Sequence, residues 1–136
     1  MKEKKEFSLP SRVESVEQAA IEAADFASKA GFSEEALFAI DMAVREAAAN
    51  AVKHGNFEDA TKKVELTFSS SDAGLEISIR DFGLGFAVEE IPDPTNPENL
   101  LKASGRGILF MRSFMDEVEW LNHKNGGMIV KMLKRR

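Results

Sequence analysis

The chain has 136 residues, 43% of them apolar and 30% charged, and a formal net charge of −5. That length supports one domain, spanning 1–136, with a real hydrophobic core, and the acidic balance argues against a nucleic-acid binder, which would present a basic face. With no cysteine there is no disulfide framework or thiolate metal site, and no run reaches the ~18 apolar residues of a membrane span.

Met1 to Pro10 is charged and has no apolar stretch, so it does not read as a signal peptide and a cytoplasmic protein is expected. Phe7 to Leu9 reads as a short edge strand closed by Pro10. A first helix follows, with Ser11 and Glu14, or Ser15 and Gln18, as a capping box, and it stops at Gly31. Ser33 caps a second helix, with Glu34 and Glu35 in its first turn. Leu37, Ile40, Val44, Ala47, Ala48 and Ala51 recur at helical spacing as its core stripe, and it ends near His54-Gly55. Two alternating strands come next, Lys62 to Ser70 and Leu75 to Asp81, joined at Asp72-Ala73-Gly74. Residues 86–103 hold Pro92, Pro94 and Pro97 among polar residues, which fits a lid and no regular element. A helix from Gly107 to about Met115 precedes a hairpin pairing Val118 to Leu121 with Met128 to Leu133 across Asn125-Gly126. The basic end, Lys131 to Arg136, reads as a solvated terminus. The order β-α-α-β-β-lid-α-β-β predicts a two-layer α+β sandwich, with helices on one face of a mixed, mostly antiparallel sheet.

Three separated pieces carry chemistry. Glu46 and Asn50 are four apart and share a helix face, turned away from the Leu37/Ile40/Val44 stripe. Ala39 and Ala43 would leave room there for a ligand. The side-chain oxygen of Asn50 suits Mg²⁺, which prefers hard oxygen ligands, and Glu46 could act as a general base; an ordinary solvated helix face is the bland alternative. His54 continues the row as a helix-terminal cation. Asp81, in Asp81-Phe82-Gly83-Leu84-Gly85, ends a strand where a carboxylate could accept a hydrogen bond from adenine, and Gly83 and Gly85 would let backbone approach the base. The alternative is a plain glycine-rich turn. A protein-kinase DFG is excluded by the missing glycine-rich loop, VAIK lysine and HRD motif. Gly105-Arg106-Gly107 opens a helix whose free N–H groups favour phosphate. Arg106 either adds charge there or is simply exposed. No Walker A loop, Rossmann fingerprint, zinc set or G-x-S-x-G elbow is present.

In this order the pieces resemble the histidine-kinase-like (GHKL, Bergerat fold) ATPase superfamily over essentially the whole chain. Arg45 to Gly55 resembles its N box, Asp81 to Gly85 its first glycine box and Ser104 to Ile108 its second. Met115-Asp116-Glu117-Val118, the short length and the absence of dimerisation helices resemble the anti-sigma branch of serine-protein kinases. The resemblance implies ATP or ADP with Mg²⁺ as ligands and Glu46 as the base that activates a serine. It implies Asn50 on the metal, Asp81 on adenine, and Gly83, Gly85, Gly105 and Gly107 shaping the pocket. The implied partners are a sigma factor and a STAS-type anti-anti-sigma protein, the implied assembly a homodimer. Three readings stand beside it: a nucleotide-binding module without kinase activity, a freestanding domain that phosphorylates histidine, and a switch whose partner is not a sigma factor.

Overall fold

The computed structural model describes residues 3–55, 61–82, 110–122 and 126–136. Along the chain run β1 (Glu3–Pro10), α1 (Glu14–Lys29), α2 (Glu34–Asn50), a π-helical turn (Ala51–Gly55), β2 (Lys63–Ser71) and β3 (Gly74–Arg80). The helical stretch 110–114, here α3, follows, and then β4 (Glu117–Asn122) and β5 (Met128–Arg135). The strands form one sheet in the order β1-β2-β3-β5-β4. All four strand pairs are antiparallel, so the described residues contain no parallel pair and the expected mixed sheet is corrected on that point.

Alternation decides which face of the sheet is covered. Val64, Leu66 and Phe68 of β2, Leu75, Ile77 and Ile79 of β3, and Val130 and Met132 of β5 all turn inward and are buried. The helical layer meets them with small residues: Ala19, Ala23 and Ala27 from α1, and Ile40, Ala43, Val44, Ala47 and Ala48 from α2. Alanines let the two helices approach each other and the sheet closely. Phe68 is fully buried, with the rings of Phe7 and Phe26 at 5.4 and 5.6 Å. The burial of Ala43 and Ala39 corrects the expectation that they leave ligand space. The apolar arc of α2 is wider than one stripe because both α1 and the sheet pack on it.

The ends of α1 and α2 show local chemistry at work. At the close of α1, Phe32 N–H donates to Ala27 C=O (3.1 Å) and Gly31 N–H to Ser28 C=O (3.0 Å), with Gly31 at φ +89°. That is a Schellman closure, with glycine in the left-handed position. Ser33 Oγ accepts from Ala36 N–H at 3.2 Å, the expected cap of α2. Neither expected capping box forms at α1: its flanking residue is Val13, and no side chain caps it. Ser11 N–H instead donates to Lys62 C=O (3.1 Å), prolonging the β1–β2 pairing. Ser15 Oγ donates back to Pro10 C=O (2.6 Å). The chain is still committed to the sheet where the S-x-x-E signal would start a helix. β1 also begins earlier than the expected Phe7. Among the described residues, no helix is long and apolar enough to cross a membrane.

Candidate nucleotide site

The described candidate residues lie on the last turn of α2 and just after β3. Glu46 and Asn50 lie one turn apart on α2, and both are half-buried, between the sealed row of Ala43, Ala47 and Ala48 and open solvent. One turn before, Arg45 Nε donates to Asp41 Oδ2 at 3.0 Å. This pairing along the helix keeps the arginine beside its own helix. Directly after Asn50 the helix widens into the π-helical turn, a rare form found frequently at functional sites. The hydrophobic spacing gave no sign of it, since a π turn adds one residue without disturbing the buried positions Ala51 and Val52.

Asp81 follows β3 directly and is buried at 8% exposure. Its N–H donates to Met128 C=O (3.0 Å), and Met128 N–H donates to its Oδ1 (3.3 Å). A buried carboxylate in such a place has its orientation fixed by backbone donors. Met128, whose backbone holds it, and the neighbouring Gly127 and Arg80 were not among the site residues singled out from sequence. The only signal is the doublet Gly126-Gly127, of which the hairpin reading used the first glycine. Both have positive φ, +98° and +85°.

Gly83, Gly85, Gly105, Arg106, Gly107 and the lid 86–103 lie outside the described residues, as does Asn125. The helix expected after the second glycine box is present as 110–114. Its aromatic side chains tie it to α2: Phe114 meets Phe38 at 6.0 Å and Phe110 at 4.9 Å, both edge to face. The Asp116 carboxylate then accepts from Arg135 N–H (2.6 Å), and Asp116 N–H donates to Leu133 C=O (2.8 Å). The Met115-Asp116-Glu117-Val118 run is therefore the corner that turns α3 into β4.

The donor set suits a nucleotide with its magnesium ion. An amide oxygen and a carboxylate share one half-buried helix face, and a buried acid sits at a strand end. Mg²⁺ takes one or two protein oxygens and fills the rest of its shell with phosphate and water, so a single amide oxygen such as that of Asn50 would be a sufficient protein ligand.

An α+β domain with a carboxylate and a carboxamide one turn apart on a helix, and a buried aspartate at a strand end, is compatible with a nucleotide-binding two-layer sandwich. The histidine kinase-like ATPase domain model matches residues 9–134, and the chain belongs to that family. Serine-protein kinase RsbW of Oceanobacillus iheyensis is 30% identical over 131 residues, 92% of this chain and 82% of that protein. Anti-sigma F factors of Bacillus thuringiensis and Bacillus mycoides are 36% identical over 104 residues, 74% of this chain and 70% of theirs. In the crystal structure of the RsbU and RsbW domains of a Mycobacterium tuberculosis protein, 98% of this chain superposes with a TM-score of 0.69 at 15% identity. It spans 32% of that longer chain. That likeness is one of fold.

Proposed function

We propose that this chain is an anti-sigma factor and serine-protein kinase: a single nucleotide-binding domain that binds ATP with Mg²⁺, holds a sigma factor, and phosphorylates a serine of a STAS-type antagonist. The observation that carries this reading is the pair Glu46 and Asn50 on one half-buried turn of α2, in a chain 30–36% identical to proteins named as serine kinase and anti-sigma factor. The reading includes a homodimer acting in the cytoplasm.

Phosphoryl transfer asks a protein mainly for positioning and charge stabilisation. Asn50 would offer its amide oxygen to Mg²⁺, and the ion when bound neutralises charge on the phosphates. Asp81 would accept from the 6-amino group of adenine and so fix the nucleotide at its far end. Glu46, one turn from Asn50, would accept the proton of the attacking serine hydroxyl. The serine oxygen bonds to the γ-phosphorus as the bond to the bridging oxygen breaks, and ADP leaves. In this reading Gly83 and Gly85 would let the backbone approach the base, and Gly105, Arg106 and Gly107 would line the phosphate path.

The test uses γ-labelled ATP, Mg²⁺ and a STAS-type antagonist from the same genome. Acid-stable label on the antagonist is expected. Glu46→Gln should slow transfer by about 100-fold or more while ATP still binds. Label lost in acid would point to phosphohistidine and overturn the serine assignment. Full-rate transfer by Glu46→Gln would remove Glu46 from the chemistry.

A further inference from the structure

Asp81 sits in a bracket that the nucleotide boxes do not account for. The end of β3 is fastened to the turn before β5 and to the first residue of β5 at two successive residues, Arg80 and Asp81. Arg80 Nη2 donates to Gly126 C=O at 3.1 Å, and its guanidinium lies 4.2 Å over the Phe82 ring. Asp81 N–H donates to Met128 C=O, and Met128 N–H donates to Asp81 Oδ1. The carboxylate oxygen thereby joins the β3–β5 ladder, whose preceding pair is Arg80 with Ile129.

Gly127 lies between those fastenings, buried and at φ +85°. A Cβ there would fall 2.0 Å from the Asp81 carbonyl oxygen and 3.2 Å from Phe82 Cα. Real Cβ atoms do not approach backbone that closely, so any side chain must displace the Asp81-Phe82 backbone itself. The left-handed φ adds strain for any L residue.

From this we infer that Gly127 and Met128 are positioning residues that aim the Asp81 carboxylate and so set the site's selectivity for a 6-aminopurine. The inference rests on the reading of Asp81 as the adenine acceptor. Fixing Oδ1 on a backbone N–H fixes the plane of the carboxylate, and with it the directions in which its remaining lone pairs can accept. A site built to hydrogen-bond a ligand N–H discriminates strongly against an analogue without it, but only while the acceptor is held in place. A shift of about 1 Å is enough to lose such an advantage. Gly127 permits the close approach, and the Met128 amide sets the rotation.

The experiment compares ATP with inosine triphosphate, which carries a carbonyl where adenine has its amino group. Both are titrated calorimetrically with Mg²⁺ into wild type, Gly127→Ala and Asp81→Ala. Wild type should prefer ATP. In Gly127→Ala that preference should fall by about tenfold or more, with inosine triphosphate affinity unchanged within about twofold. A structural role alone would weaken both ligands equally, and a preserved ratio overturns the inference. If Asp81→Ala abolishes the preference and Gly127→Ala does not, the adenine reading stands and the positioning role falls. If Asp81→Ala leaves the ratio intact, the adenine reading itself fails. Should Gly127→Ala not fold, the Met128 amide resonance of wild type decides the matter. It should move differently at saturation with the two nucleotides, since only ATP brings a 6-amino N–H to the carboxylate that this amide also holds. Identical movement overturns the inference.

Discussion

Asn50 offers the kind of atom a small hard cation takes, and nothing in its position makes it a structural necessity. It is half-buried at the last turn of α2, so among the described residues truncation opens no large cavity and strands no buried partner. Asn50→Ala should therefore leave the melting temperature nearly unchanged. The gain in ATP affinity on adding Mg²⁺ should shrink by about tenfold or more, ~1.4 kcal/mol. Calorimetry with and without Mg²⁺ separates that outcome from a uniform loss, which would move Asn50 off the metal. The placement of Glu46 and Asn50 on one turn of a helix was legible in the sequence because residue type and a four-residue spacing are local facts. The partners of Asp81 were not. Met128 lies 47 positions further along, and no spacing rule reaches across a helix and a strand to the backbone amide that orients a carboxylate.

At the scale of elements, capping signals hold only where the chain is free to obey them. Ser33 follows a closed helix, and its hydroxyl finds Ala36 N–H. Ser11 carries the same kind of signal but is fully buried, held by Lys62 C=O through its own N–H. Tertiary pairing overrode the local motif there. Ser33→Ala should cost about 1 kcal/mol, read as a lowered denaturation midpoint with an unchanged denaturant slope. No measurable loss would mean that the two acidic residues in the first turn of α2 supply the whole of the N-terminal stabilisation. The inner strands were legible for the opposite reason. β2 alternates throughout and β3 from Leu75 onward, because one face packs and the other meets water. The first four residues of β1 are charged, as suits an edge strand that must not recruit a neighbour, and those charges hid half of its length.

For the molecule as a whole, the question is what joins that charged edge to the helical layer. Phe7 and Leu9 turn inward and pack partly against the core. Beside them Lys5 reaches α1, where its ammonium bonds the Glu22 carboxylate and lies 5.4 Å from the Phe7 ring centroid. Gln18 Nε2 donates to the other Glu22 oxygen at 2.9 Å. The hydrogen bond from Lys5 is the main reason that the Glu22 carboxyl loses its proton more readily than an ordinary glutamate. The attraction of the Lys5 charge and the Gln18 bond add to it, while partial burial works against it. Because the unfolded chain binds this proton more tightly than the folded chain does, ionisation of the carboxyl stabilises the folded state. Its contribution is complete above the ordinary glutamate value, ~4.3, and disappears as pH falls through the lower folded value. Lys5 is 43% exposed, so solvent screening keeps the size to about 0.2–1 kcal/mol. Lys5→Gln should therefore destabilise the protein by that amount at pH 7, and the gap to wild type should close as the pH is lowered below about 4. Urea melts of the two proteins across pH 3 to 7 test this. A gap that stays constant in acid would mean that Lys5 holds β1 through its contact with Phe7 and not through the charge of Glu22.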